Sequence, residues 1–205
     1  MELLRFVFVQ HLGPACWAAL LAAAGCLLAV AVERLELERL LDLSMLLFRM
    51  ALRLVGREAN ARMAAAIFAF NGTAIFLYLA CGFHPALPAA IALLTGFNVT
   101  AILLAVSRTA AASEESLPRT GGRRVPGRNV TTLCGTAVLL LELPCFAFSV
   151  GMGIRLGQDV LAGRTGYLEG LALRAEAYAA VILPLLFVSA ICETVAIRGM
   201  AVAAE

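Results

Sequence analysis

Five predominantly apolar runs, at 12–32, 63–82, 85–106, 130–153 and 175–197, constrain this chain more than any other feature. A helix needs about 20 mainly apolar residues to cross about 30 Å of hydrocarbon. In lipid every backbone polar group must pair within its own segment or with another segment of protein, so such runs fold as helices. None of them alternates apolar and polar residues as a membrane β-strand does. The whole chain agrees with the local pattern. Of its 205 residues 62% are hydrophobic and 15% charged, against about 45–50% and about 25% in soluble domains. The sequence therefore predicts an all-α, multi-pass transmembrane helical bundle with about five spans, a single membrane domain over residues 1–205 with no soluble domain of useful size.

The first run has a second reading as a signal peptide, because Ala29-Val30-Ala31 resembles a small-residue cleavage site. The segment before it carries only Arg5 and is itself apolar, which favours an uncleaved span. Spans two and three are joined by Gly82-Phe83-His84-Pro85, a connection so short that it predicts a tight antiparallel hairpin. Ser107–Arg128 is rich in Ser, Gly and Pro, the composition of a flexible loop. Ile154–Arg174 is a shorter polar connection broken by Gly163 and Gly166.

Every basic residue other than histidine is Arg. With five spans, 33–62, 107–128 and the C-terminal tail share one side of the membrane and hold six, five and one Arg. The N-terminus, the 82–85 turn and 154–174 hold one, none and three. Arg-rich loops stay in the cytoplasm, so this asymmetry predicts an external N-terminus and a cytoplasmic C-terminus in the cell membrane. The absence of Lys excludes Schiff-base and phosphate-loop lysine chemistry. A net charge of +2 without a concentrated basic surface gives no nucleic-acid signal.

Residues 33–57 read as an amphipathic helix. Leu37, Leu40, Leu41, Leu47, Phe48, Ala51, Leu54 and Val55 share a face opposite Arg34, Glu38, Asp42, Arg49 and Arg53. One reading lays this helix on the membrane, with Arg49, Arg53 and Arg57 meeting anionic headgroups. Packing against the spans and binding a partner are the alternatives.

Ionisable groups inside a membrane are costly and mark candidate functional sites. Glu142 sits mid-span in Leu140-Leu141-Glu142-Leu143-Pro144, and Glu193 lies near the end of the fifth run. Pro144 removes a backbone donor and frees a carbonyl, to which a protonated Glu142 can donate. The expectation is a kinked helix whose Glu142 faces the bundle near Pro184 of the fifth span. Glu193 is placed to reach headgroups or Arg198. Asn71 and Asn98 suit polar contacts between helices, and Gly153-x-x-x-Gly157 suits close helix approach. The six cysteines form no C-x-x-C pair and lie in apolar context, where Cys is a small hydrophobe.

No catalytic constellation accompanies these groups. His11 and His84 lie far apart, and there is no H-E-x-x-H, G-x-S-x-G or phosphate loop. Asp42 and Asp159 fall outside the predicted spans, so an intramembrane aspartyl dyad is excluded. The sequence offers no catalytic residue, cofactor site or metal-ligand cluster.

The stretch from Leu139 to Gly157, with Glu142-Leu143-Pro144 and then Gly153-Ile154-Arg155-Leu156-Gly157, resembles the Glu-Leu-Pro helix of the stage II sporulation protein M family. Leu183-Pro184 followed by Ala190-Ile191-Cys192-Glu193 is similar to that family's last helix, and Phe70-Asn71-Gly72 echoes an Asn motif of its second helix. The resemblance covers about the last 135 residues. It departs in three places: Ala137-Val138 replaces a His-Gly, one Asn stands for an Asn pair, and the family is usually drawn with its N-terminus inside. The resemblance implies a non-enzymatic membrane scaffold or assembly component, with Asn71, Glu142, Pro144, Gly153, Arg155 and Glu193 as the residues of interest. Expected partners are membrane lipid, other membrane or envelope proteins, and further copies of the chain. The alternative is a permease-like subunit moving a small solute or ion past Glu142.

Overall fold

A computed structural model describes residues 2–37, 44, 46, 60–115 and 128–204. The described chain is helical, with no strand. Helix α1 runs Glu2–Arg34, α2 Ala61–Ala80, α3 Ala86–Glu115, α4 Arg128–Leu161, α5 Tyr167–Ala177 and α6 Leu183–Ala204; one π-helical turn, Tyr178–Ile182, joins α5 to α6. Five stretches are long and apolar enough to cross a membrane: Val9–Arg34, Ala61–Ala80, Ala86–Ala105, Thr136–Leu161 and Tyr167–Arg198.

Several sequence-predicted boundaries move. Residues 107–115, expected as loop, continue α3. Residues 154–161, expected as a polar connection, continue α4, and all of 167–174 lies in α5, so the connection shrinks to 162–166. The reason is local. Arg155 and Asp159 stand four apart on α4 and pair with each other, so charges that hydropathy assigns to a loop are accommodated on a helix. The amphipathic pattern does not run unbroken from residue 33. The chain turns at Leu35–Leu37, where Glu36 adopts φ 58°. Leu37 N–H donates to Val32 O and Glu36 N–H to Glu33 O, the paired bonds of a Schellman end. Most of the amphipathic segment, with Arg49, Arg53 and Arg57, lies outside the described residues, as do 116–127 of the connection expected over 107–128.

Helix α4 is the hub. It packs on α1 and α3 along one flank and on α2, α5 and α6 along the other. The first flank buries Ala18, Ala92, Phe146, Val150 and Ile154 together. The second buries Ile75, Leu79, Cys145, Met152, Tyr178, Ile182 and Leu186. Helix α1 lies on α3 at backbone range, where Gly25 meets the Leu93 carbonyl, Gly96 meets the Ala22 carbonyl, and the Cys26 thiol donates to Gly96 O at 3.5 Å. Small residues allow this approach, which gains dispersion contact between the two helices.

The α2–α3 connection corrects the tight hairpin. The two helices share the short turn yet scarcely touch, because α4 enters the fork between them. A side chain on Gly153 would lie 2.7 Å from the Tyr78 carbonyl of α2 and 3.0 Å from Pro88 of α3. Gly157 meets Pro85 in the turn itself.

Pro144 and Pro184 both lie within helical chain. α4 continues through Pro144, which is exposed on the outer surface. Ahead of Pro184 the backbone widens into the π-helical turn, and Leu183 N–H reaches back five residues to Tyr178 O. Such a turn accommodates the carbonyl that proline leaves without its usual donor.

Candidate functional site

The predicted site residues separate into two centres on α4 about 20 Å apart, at 1.5 Å per residue between Glu142 and Arg155. Gly153 lies near the second, in the fork.

The first centre is a polar knot inside the apolar layer. Asn71 Nδ2 on α2 donates to Glu142 Oε1 at 2.9 Å, and Ser189 Oγ on α6 donates to the same oxygen at 2.9 Å. One carboxyl oxygen thus ties three helices. Glu142 is half-buried and faces the bundle, while Leu143 and Pro144 beside it face outward. The Ser189 contact lies five residues beyond Pro184. The bonding departs from the sequence expectation: Glu142 accepts from two side chains and does not donate to the carbonyl freed by Pro144. Ser189 itself is fully buried. Glu193, one turn further along α6, is half-buried and close enough to Glu142 to interact electrostatically. No hydrogen bond or ion pair joins it to Arg198, one of its two expected destinations, among the described residues.

Two further polar bonds brace the same flank. Tyr178 Oη donates to Gly72 O at 2.5 Å and Tyr167 Oη to Ala80 O at 2.6 Å, both onto α2 backbone. On the other flank Ser44 Oγ donates to Asn98 Oδ1 at 2.7 Å. An open groove of about 500 Å³ between α2 and α6 is lined by Ala61, Ala64, Phe68, Phe187 and Arg198, among others, and does not include Glu142.

The bond pattern predicts separable mutants. Glu142→Gln keeps the accepting oxygen, so thermal unfolding in detergent is expected within about 1 kcal/mol of wild type. Glu142→Leu strands the Asn71 amide and the Ser189 hydroxyl, with an expected loss of about 1–3 kcal/mol. Equal melting temperatures for Leu and wild type would contradict the knot.

The second centre is ionic and sits where α4 ends. Asp159 takes Arg164 on Oδ1, with Nη2 at 2.6 Å and Nε at 2.8 Å, and Arg155 Nε lies 3.5 Å from the same oxygen. Arg174 Nη2 donates to Oδ2 at 2.6 Å and Nη1 donates to Gly170 O at 2.9 Å. Local backbone builds the cluster. Gly163, at φ 66°, turns the chain back so that Arg164 N–H donates to Asp159 O. Gly170 admits Leu156 of α4 against α5. Arg174 is buried, and its Nε has no partner.

Of these residues the sequence singles out only Arg155. It gives no comparable reason to pick Asp159, Arg164, Arg174 or Ser189. Two spacings carry the available signal: Arg155 to Asp159, and Ser189 to Glu193, each four residues on one helix face.

Among the described residues no group of three His, Cys, Asp or Glu is placed to hold a metal ion. Comparison with protein-family models, with curated proteins and with solved structures finds no match to this chain.

Proposed function

We propose that this chain is a non-enzymatic scaffold of the cell membrane, crossing the bilayer five times and holding other membrane or envelope proteins, copies of itself included. The observation that carries the reading is the commitment of Glu142: its accepting oxygen is taken up by donors from α2 and α6. A carboxyl used this way fixes helix positions and presents a defined surface to partners. The Glu-Leu-Pro stretch, with its resemblance to stage II sporulation protein M, supports the same role. The proposed orientation puts 33–62, 107–128 and the C-terminus in the cytoplasm, in keeping with the Arg asymmetry. In that frame Arg49, Arg53 and Arg57 meet cytoplasmic headgroups.

Crosslinking in native membranes and subsequent purification test the role. Defined envelope proteins should be recovered, equally with wild type and Glu142→Gln. A cysteine placed at Ser113, with native cysteines replaced, should resist an impermeant thiol reagent in intact cells; labelling there reverses the orientation.

A second reading, a permease-like subunit, is favoured by Glu193, a carboxyl with no bonded partner among the described residues and within electrostatic range of Glu142. It requires solute-dependent flux in liposomes that Glu142→Gln abolishes. That outcome, with no partner recovered, overturns the scaffold.

A further inference from the structure

We infer that the Arg155–Arg164–Arg174 cluster is a binding site for a phosphate-bearing anion, and that its occupant is the headgroup of an anionic phospholipid. Charge is the first argument. Three guanidiniums converge on Asp159, the one carboxylate bonded to them among the described residues, which leaves the cluster with an excess of two positive charges. At the edge of an apolar layer an unbalanced charge is poorly solvated and favours a counter-ion.

Donor count is the second argument. Each guanidinium carries five N–H donors in a planar fork that matches carboxylate or phosphate oxygens. The single carboxylate and the Gly170 carbonyl absorb only a minority of them. Arg174, with its side chain 5% exposed, retains a buried Nε without an acceptor. Arg155 and Arg164 are about half exposed, at 42% and 53%, so they can reach an incoming anion without leaving Asp159.

Position is the third argument. The cluster lies where α4 ends, beside the 162–166 connection, at the same end of the bundle as the α2–α3 turn that Gly157 touches. That end of the apolar stretches is where headgroup phosphates lie. Asp159 acts here as the organiser: it holds three forks together that would otherwise repel. Gly163 sets Arg164 in place by its left-handed turn. The inference is independent of the scaffold reading, since a transporter or a scaffold can use such a site equally.

The test uses purified full-length chain in a neutral detergent, with Arg155→Gln/Arg164→Gln as the variant. Arg174 stays intact because its burial makes it a folding risk. Titration with phosphatidylglycerol should raise the melting temperature of wild type, and phosphatidylcholine should not. The double variant should bind phosphatidylglycerol about thirty-fold more weakly, equivalent to about 1 kcal/mol for each arginine. Inorganic phosphate forms the second arm. No effect of phosphate alongside a phosphatidylglycerol effect supports the lipid. Equal stabilisation by phosphate, also lost in the double variant, overturns the lipid assignment in favour of a soluble phosphate ligand. Phosphatidylglycerol acting equally on wild type and a folded double variant overturns the site altogether. So does no response of wild type to either anion.

Discussion

Replacing Asp159 with Ala is expected to be the most damaging single change in the polar part of this protein. Asp159 is 14% exposed and Arg174 5% exposed, bonded at 2.6 Å. Removing the acid leaves a buried guanidinium without its counter-charge and releases Arg155 and Arg164 to repel it. Breaking a buried pair from one side costs about 3–5 kcal/mol. Asp159→Asn keeps an oxygen for Arg174 and is expected to fall between Ala and wild type. Asp159→Ala/Arg174→Met removes both charges and is expected to recover much of the loss, since apolar replacement of a buried pair is often neutral or better. Unfolding in mixed micelles measures all three. An Asp159→Ala chain within about 1 kcal/mol of wild type would show that solvent screens the cluster more than its burial implies.

The second large effect is steric. At Gly153 an added Cβ would sit 2.7 Å from the Tyr78 carbonyl and 3.0 Å from Pro88. The first obstacle is backbone and cannot rotate away. Gly153→Ala is expected to cost about 1–3 kcal/mol, the range of an overpacked core, and Gly153→Leu to prevent α4 from seating in the fork. Gly72 is the internal control. It is also helical, but a Cβ there would meet only side-chain atoms at ordinary contact distance, Leu183 at 3.4 Å and the Tyr178 hydroxyl at 3.7 Å. Gly72→Ala is expected to stay within about 1 kcal/mol of wild type, helix propensity offsetting any local adjustment. Melting temperatures of the pair decide the matter; equal responses would mean that the fork is looser than its distances.

The contrast between these sites explains what is legible in the sequence. The five apolar stretches reflect a solvent requirement that acts on every residue of a span, so hydropathy finds them. Gly153-x-x-x-Gly157 is readable as a site of close approach because only small residues permit it. Its neighbours are not readable: nothing local says that α4 enters between α2 and α3, and the short 82–85 turn argues for a closed hairpin. Glu142 announces itself by its cost in lipid, and Asn71 by its polarity. Ser189 does not, because serine is common in membrane helices and its hydroxyl can satisfy itself on its own backbone. Asp159 and its arginines read as a loop because hydropathy sums charges without pairing them. At Glu36 a non-glycine residue takes the left-handed position that ends a helix, and no glycine marks the break.

The knot at Glu142 also bears on the order of biosynthesis. Asn71 belongs to α2, the least apolar of the five membrane-length stretches, and both its acceptor on α4 and the third member on α6 are encoded far downstream. At about 5–20 residues per second, roughly ten seconds separate the synthesis of Asn71 from that of Ser189. For the first 71 residues of that stretch, from Asn71 to Glu142, the Asn71 amide has no acceptor on α4. Arrival of α4 supplies the acceptor and wedges the α2–α3 fork open in the same event. Helix α6 then closes the knot, so α2 acquires its permanent place only after two later helices have been made.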